Sequence, residues 1–160
     1  MAKPRFFLYS VVFLTVISVN AEDSARKSFG FTQLAASGID DASAGTFSQQ
    51  LRGEIEKIGL YSILEFSEIE TLLAQQNLPH SCSDLHCAVV TGQLLGVEYF
   101  GFGSIGKVGK TYTISMQLVD VRSGRIVRDV SEFFNGKGSV FTKKIIPRFA
   151  YKICGLEFSK

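Results

Sequence analysis

The feature that most constrains the fold of this chain is a strict alternation of apolar and polar side chains in residues 111–118, within the stretch TYTISMQLVDV. The larger apolar side chains stand at every second position, namely Tyr112, Ile114, Met116 and Leu118. Successive side chains of a strand point to opposite faces, so the pattern predicts a strand with one buried and one solvated face. The chain therefore contains a sheet with one face in a core.

Turn signals on both sides make this strand the middle one of three. A loop over 106–110, GKVGK, connects it to a strand predicted over 97–105, and RSG at 122–124 leads to a strand over 125–134. Glycines shape such hairpins by allowing positive φ in the turns or close packing within the strands. The structural glycines assigned to these hairpins are Gly103, Gly106, Gly109 and Gly124.

The rest of the chain alternates between strand and helix patterns. The predicted elements are a strand over 28–34, a helix over 42–58, a strand over 60–66, a short helix capped by Ser67 and Glu70, a helix over 85–95 capped by Ser83 or Asp84, and a final helix from Ser139 to Gly155. Pro147 predicts a kink or a late start in the last helix. The order βα-βα-α-βββ-α indicates an α/β fold, with helices packed on a mixed parallel and antiparallel sheet of about five strands.

The stretch 101–111, GFGSIGKVGKT, also matches parts of two nucleotide-binding motifs. In dinucleotide-binding folds the glycines of Gly-x-Gly-x-x-Gly lie between a strand and the helix that holds the pyrophosphate. Here a strand is predicted to follow, and the glycine spacing before Gly109, Lys110 and Thr111 is one residue wrong for a phosphate-binding loop. We therefore expect no nucleotide and no other cofactor.

The amino-terminal residues 1–21 have the pattern of a cleaved secretory signal. Lys3 and Arg5 precede a short apolar run, and small residues fit a cleavage site after Ala21. The alternative is a membrane anchor, which needs about 20 apolar residues and therefore a longer run. We expect an exported chain, periplasmic or released, in which residues 22–160 form a single domain with no transmembrane segment.

The charge of the chain gives no reason to expect a nucleic-acid partner. Lys3 and Arg5 account for the formal net charge of +2, so the remainder of the chain is balanced. Nucleic acids and anionic membrane surfaces attract proteins with an excess of positive charge. The balanced composition therefore gives no electrostatic reason to expect either partner class.

Three cysteines in an exported chain suggest one disulfide and one remaining thiol. Cys82 and Cys87 have four residues between them at the start of a predicted helix, and they can pair if Cys82 folds back onto the first turn. Two reduced, buried thiols are one alternative, and a metal site with His80 or His86 is another. We assign the disulfide to Cys82 and Cys87 and expect Cys154 to be a buried apolar residue, whose pairing between chains stays open.

The sequence shows no constellation typical of catalysis. Cys87 follows His86, but neighbouring residues of a helix point in different directions. Glu65, Glu68 and Glu70 surround a helix start, where the helix dipole favours acids without any catalytic role. We therefore assign no catalytic residue, no cofactor-binding residue and no metal ligand, and we expect a non-enzymatic protein.

Residues 82–130 resemble the central motif of the CsgG / TolB amino-terminal-domain-like family. The resemblance rests on the Cys-x4-Cys helix, on GQLLGVEYF leading into a strand, on GSIGKVGKTYTIS across one hairpin and on LVDVRSGRIV across the next. It implies an α/β sandwich like the periplasmic portion of CsgG and of penicillin-binding-protein activator lipoproteins. It also implies a non-enzymatic role in assembling, tethering or exporting other envelope proteins.

Three features depart from the family pattern. No Cys follows the amino-terminal apolar run, and no inserted segment is long enough to add membrane strands of about 9 to 11 residues each. The first strand, SFGFTQL, is also less apolar than in the family. The resemblance thus implies a protein-interaction or assembly module without lipid anchor or pore, with envelope proteins as partners and a homo-oligomer as one arrangement. A small-ligand or glycan-binding module is the alternative, and a small redox or hydrolytic enzyme is less favoured.

Overall fold

A computed structural model describes residues 26–158 of the chain, so the predicted signal segment 1–21 lies outside the described residues. The strands are β1 (Lys27–Phe31), β2 (Ala35–Ser37), β3 (Tyr61–Ile63), β4 (Tyr99–Val108), β5 (Thr111–Asp120) and β6 (Arg125–Asn135). The helical elements are α1 (Asp41–Ile58), α2 (Phe66–Gln75), α3 (Leu85–Leu95), the single turn α4 (Gly138–Val140), a π-helical turn (Phe141–Ile145) and α5 (Ile146–Ile153). Within this range, none of the helices is both long and apolar enough to span a bilayer.

All of these strands belong to one mixed sheet with the order β3-β1-β4-β5-β6, and β2 pairs with β4 beyond the end of β1. β1 is parallel to both β3 and β4, because each connection between them crosses over through helices. β4, β5 and β6 are antiparallel and follow one another through two tight turns. The α/β sandwich with a mixed sheet is therefore confirmed, with β2 added to the predicted strands.

β4 is longer than the sequence suggested. It runs to Val108 instead of ending near 105, so Gly106 lies inside the strand and not in a hairpin loop over 106–110. The strand continues because Gly106 pairs with β5 on one side and with Ser37 of β2 on the other. A Cβ atom at Gly106 would collide with the Ser37 backbone, so this three-strand junction requires glycine.

The other assigned glycines divide between strand and turn positions. Gly103 also lies within β4, where a Cβ atom would collide with the backbone of Ser115 on β5. Gly109 and Gly124 occupy the two turns, with φ of 59° and 65° respectively. Those values fall in the left-handed region that glycine adopts without strain.

Local capping signals fix the ends of α1 and α3. The Asp40 side chain accepts a hydrogen bond from the Ser43 amide, and the Asp84 side chain accepts one from the Cys87 amide. Gly59 and Gly96 end the two helices in the left-handed conformation. These bounds agree with the sequence pattern because capping depends on residues that are close in the chain.

α2 begins at Phe66, so the predicted capping box of Ser67 and Glu70 is wrong. Glu65 stands at the cap position, and its side chain makes no capping hydrogen bond. Instead, the buried Arg52 of α1 forms an ion pair with Glu65 and ties α1 to the start of α2. A tertiary contact therefore overrides the local signal at this helix start.

The sheet has a core on each face, and the two differ in size. On the larger side, Ile114, Met116 and Leu118 of β5 are buried, as the alternation predicted, in one cluster with residues of α1, α2 and the carboxyl-terminal helical elements. On the opposite side, α3 covers a smaller cluster that includes Phe100 and Val119. Beyond this cluster the second face is partly exposed, as at Thr113 and Gln117 of β5, and most exposed at Phe133 of β6.

Candidate functional site

A cleft of about 530 Å³ opens between β6 and the carboxyl-terminal helical elements, and we call it the carboxyl-terminal cleft. Its apolar lining comes from Phe134, Val140, Ile145 and Phe158. Its basic lining comes from Lys143, Lys144 and Arg148. None of these lining residues is acidic, and the combination of apolar and cationic side chains sets the chemistry that the cleft can recognise.

Pro147 shapes one wall of the cleft. Proline has no amide hydrogen, and in a regular helix its ring would clash with the carbonyl of the residue four positions earlier, here Lys143. The chain widens into a π-helical turn just before the proline, where the Ile146 amide bonds the carbonyl of Phe141. The predicted interruption at Pro147 thus takes the form of a π turn, a feature found frequently at functional sites.

An aromatic cluster fixes this turn to the sheet. The fully buried ring of Phe141 stacks on Tyr112 with 4.9 Å between ring centroids. The ring of Phe47 on α1 contacts the Phe141 ring edge to face, with 5.5 Å between centroids, and the centroid of the Phe134 ring lies 6.4 Å from that of Phe141. Phe134 therefore packs against the core and also lines the cleft.

Glu132 anchors α5 to β6 beside the cleft. Its buried carboxylate accepts hydrogen bonds from Arg148, with Nε at 3.1 Å, and its Oε1 lies 2.6 Å from Lys152 Nζ. Burial acts to raise the pKa of the Glu132 carboxyl, but the hydrogen bonds and charges of Lys152 and Arg148 outweigh it, so the pKa lies below its usual value. The carboxylate is thus held ionised, and it partly neutralises the positive charges of Arg148 and Lys152.

The remaining positive charge is not balanced nearby in the chain. From position 136 to 156 the sequence has five basic residues and no acidic one, and Glu157 follows at the end of the segment. Lys143 and Lys144 are exposed on consecutive positions of the π turn. Neither forms an ion pair within residues 26–158. The cleft therefore presents two unneutralised ammonium groups beside an apolar surface.

The two cysteines assigned to a disulfide lie on the other side of the sheet, at the amino-terminal end of α3. Their sulfur atoms are 2.13 Å apart, and the bond joins the loop before α3 to its first turn. Cys82 is fully buried, and its amide donates to Thr32 Oγ1 at 3.2 Å. The bond thus holds α3 against the smaller core.

Cys154 is buried in the larger core at the end of α5. Burial raises the pKa of its thiol to about 11, although the charge of Arg128 acts in the opposite direction. A thiol in this state is largely protonated and shielded at neutral pH. In this fold Cys154 is therefore a packing residue and not a surface thiol.

The other motifs considered in the sequence do not converge on a site. Residues 101–111 form the end of β4, a turn and the start of β5, so no helix follows the glycines to hold a phosphate. His80 and His86 are both exposed. Within residues 26–158 no three His, Cys, Asp or Glu side chains are grouped to hold a metal ion.

Sequence reasoning missed the carboxyl-terminal cleft, although part of its signal was visible. The basic segment without acids and the proline inside a helical pattern are both features of the sequence. The contribution of Phe134 could not be inferred, because it depends on how β6 meets the π turn in three dimensions.

The chain matches no protein-family model and no curated protein. Its fold is nevertheless similar to that of solved structures. Lipoprotein GNA1162 from Neisseria meningitidis matches with a TM-score of 0.61 and 13% identity, over 81% of this chain and 94% of that chain. LpoB from Escherichia coli matches with a TM-score of 0.57 and 16% identity, over 69% of this chain and 57% of that chain. PelC from Paraburkholderia phytofirmans, solved as a dodecamer, matches with a TM-score of 0.52 and 10% identity, over 84% of this chain and 90% of that chain.

The match therefore spans little more than half the length of the full LpoB structure, whereas GNA1162 and PelC are covered almost completely. At these identities the likeness establishes a shared fold. It agrees with the sandwich that the sequence resemblance implied.

Proposed function

We propose that this protein is a non-enzymatic, exported module of the cell envelope that binds other proteins. The observation that carries the proposal is the carboxyl-terminal cleft, in which the exposed side chain of Phe158 and the partly exposed side chains of Phe134 and Val140 line a concave surface beside Lys143 and Lys144. Concave apolar surfaces with a few well-placed polar groups are typical binding sites, and exposed apolar surface marks protein interaction.

The shared fold adds support from two directions. GNA1162 is a lipoprotein, which fits the envelope location that the signal pattern and the sequence resemblance imply for this chain. PelC is a dodecamer, so the same fold makes protein interfaces in at least one case. A CsgG-like assembly role without lipid anchor or pore, and self-association of this chain, belong to the same proposal.

Chemical crosslinking in the native envelope tests the proposal. The expected result is a reproducible set of adducts between this chain and one or a few envelope proteins, identified by mass spectrometry. A reagent control uses an exported protein of similar size and abundance. If the chain yields no more protein adducts than that control, the proposed function is wrong.

A further inference from the structure

The carboxyl-terminal cleft has a chemistry that selects one kind of partner. Its volume of about 530 Å³ is sufficient for a few side chains of a peptide but not for a folded domain. Phe134, Val140 and Phe158 offer apolar contact area, and Phe158 keeps 40% of its surface exposed. An occupant must therefore bring apolar side chains of its own.

Lys143 and Lys144 add a requirement for negative charge. Both ammonium groups are exposed, whereas the nearby Arg148 is partly engaged with Glu132. Complementary charge at the rim of an apolar site steers the encounter and fixes the register of the bound segment. The occupant must therefore place carboxylates next to its apolar side chains.

We infer that the carboxyl-terminal cleft binds an extended acidic segment of a partner protein, in which aromatic or aliphatic side chains alternate with aspartate or glutamate. This inference rests on the proposed protein-binding function and names the partner chemistry for it. The packing beneath the cleft supports it, because the ring of Phe141 joins the π turn to the core through its contacts with Tyr112 and Phe47. A preformed site loses little conformational entropy when a peptide binds.

Two other anionic partners fit the same surface less well. A nucleic acid needs a longer basic stripe than the two adjacent lysines provide. An anionic membrane surface is flat, whereas the apolar side chains here line a concave site. Both alternatives are outcomes that the following experiment can detect.

The test measures binding by fluorescence polarisation between the purified protein and a short fluorescent peptide that alternates glutamate with phenylalanine and leucine. A second peptide has serine in place of the apolar residues, and a third has lysine in place of glutamate. We expect the first peptide to bind, the other two to bind at least about tenfold more weakly, and salt to weaken the binding. Absence of binding by the first peptide, or equal binding by the first two, overturns the inference.

Paired variants locate the site. Lys143→Glu with Lys144→Glu reverses two exposed charges at the cleft, and we expect about tenfold weaker binding of the acidic peptide. Arg122→Glu with Arg125→Glu makes the same charge change at the β5–β6 turn, and we expect binding within about twofold of the wild type. Circular dichroism checks that both variants fold. Equal losses in the two variants would mean a general charge effect and would contradict the site.

The same variants separate this inference from the proposed function. If the wild type and the Lys143→Glu, Lys144→Glu variant give the same protein adducts in the envelope, the cleft assignment fails and the protein-binding function stands. If neither gives protein adducts above the control, the function itself fails. Vesicles of phosphatidylglycerol and a single-stranded oligonucleotide serve as further probes. Binding of either one that depends on Lys143 and Lys144, without peptide binding, also overturns the inference.

Discussion

The two faces of β5 present opposite surfaces from one alternating sequence. Ile114, Met116 and Leu118 are almost fully buried beneath helices, whereas Thr113 and Gln117 on the other face keep part of their surface in solvent. The comparison teaches that burial along the middle of β5 is concentrated on the face of the larger core, whereas the opposite face is buried where α3 covers Val119. The candidate binding surface lies at the margin of that face, where the covering helices meet β6 and leave Phe134 accessible.

The largest effect is expected from a cavity on the covered face. Ile114→Ala removes a side chain that is 1% exposed, and we expect the free energy of unfolding to fall by about 2 to 5 kcal/mol. Thr113→Ala on the neighbouring, open position is the matched control, with an expected change within about 0.5 kcal/mol. Urea unfolding of both variants measures the difference. Similar losses at the two positions would refute the contrast between the faces.

The next effect concerns the small core under α3. Replacing both Cys82 and Cys87 by alanine removes the crosslink across a short loop, with an expected loss of about 2 kcal/mol. Peptide mapping of the non-reduced wild type should recover these two residues linked. Free thiols at both positions, or a double variant as stable as the oxidised wild type, would contradict this account of how α3 is held.

A smaller and pH-dependent effect is expected at Glu132. Glu132→Gln keeps the shape of the side chain but removes the charge that Arg148 and Lys152 share, at an expected cost of about 1 kcal/mol at neutral pH. Because the folded pKa is lowered, the carboxylate contributes stability above its usual pKa of 4.5, and this stability is lost as the pH falls through the lower folded value. The two proteins should therefore converge in stability on acidification. A difference that is constant from neutral to strongly acidic pH would argue against the ion pairs.

The smallest effect is expected at Phe133, which points to the open face. Its side chain is 72% exposed, so Phe133→Ser should change the free energy of unfolding by less than about 0.5 kcal/mol. Phe134→Ser, one position along β6, removes a ring that packs beside Phe141 and should cost considerably more. Thermal unfolding of the pair distinguishes the two faces within β6. Equal effects would mean that the open face is packed in solution.

Features that depend on nearby residues were predictable from the sequence. The burial of Ile114, Met116 and Leu118 follows from a period of two, although Val119, buried under α3, does not, and the bounds of α3 follow from Asp84 and Gly96. Features that depend on contacts between residues far apart in the chain could not be predicted from the sequence. The extension of β4 through Gly106 requires Ser37 of β2, and the start of α2 is set by the ion pair of Arg52 with Glu65.

The candidate site shows the same division. The positive charge of Lys143 and Lys144 and the helix interruption at Pro147 are visible in the sequence. The cleft itself forms where Phe134 of β6 and Phe158 of the carboxyl-terminal segment lie on either side of residues of the π turn in its lining. This arrangement depends on residues that are far apart in the chain. The charge of the site could therefore be predicted from the sequence, but its shape could not.

Site-specific photo-crosslinking in the native envelope tests the central claim most directly. A photoreactive amino acid at position 144 lies at the cleft, and the same amino acid at position 125 lies at the β5–β6 turn. We predict light-dependent adducts with a specific envelope protein from position 144 and not from position 125, with the attachment in an acidic, apolar segment of that protein. Adducts of equal yield from both positions, or none from position 144, would contradict the account.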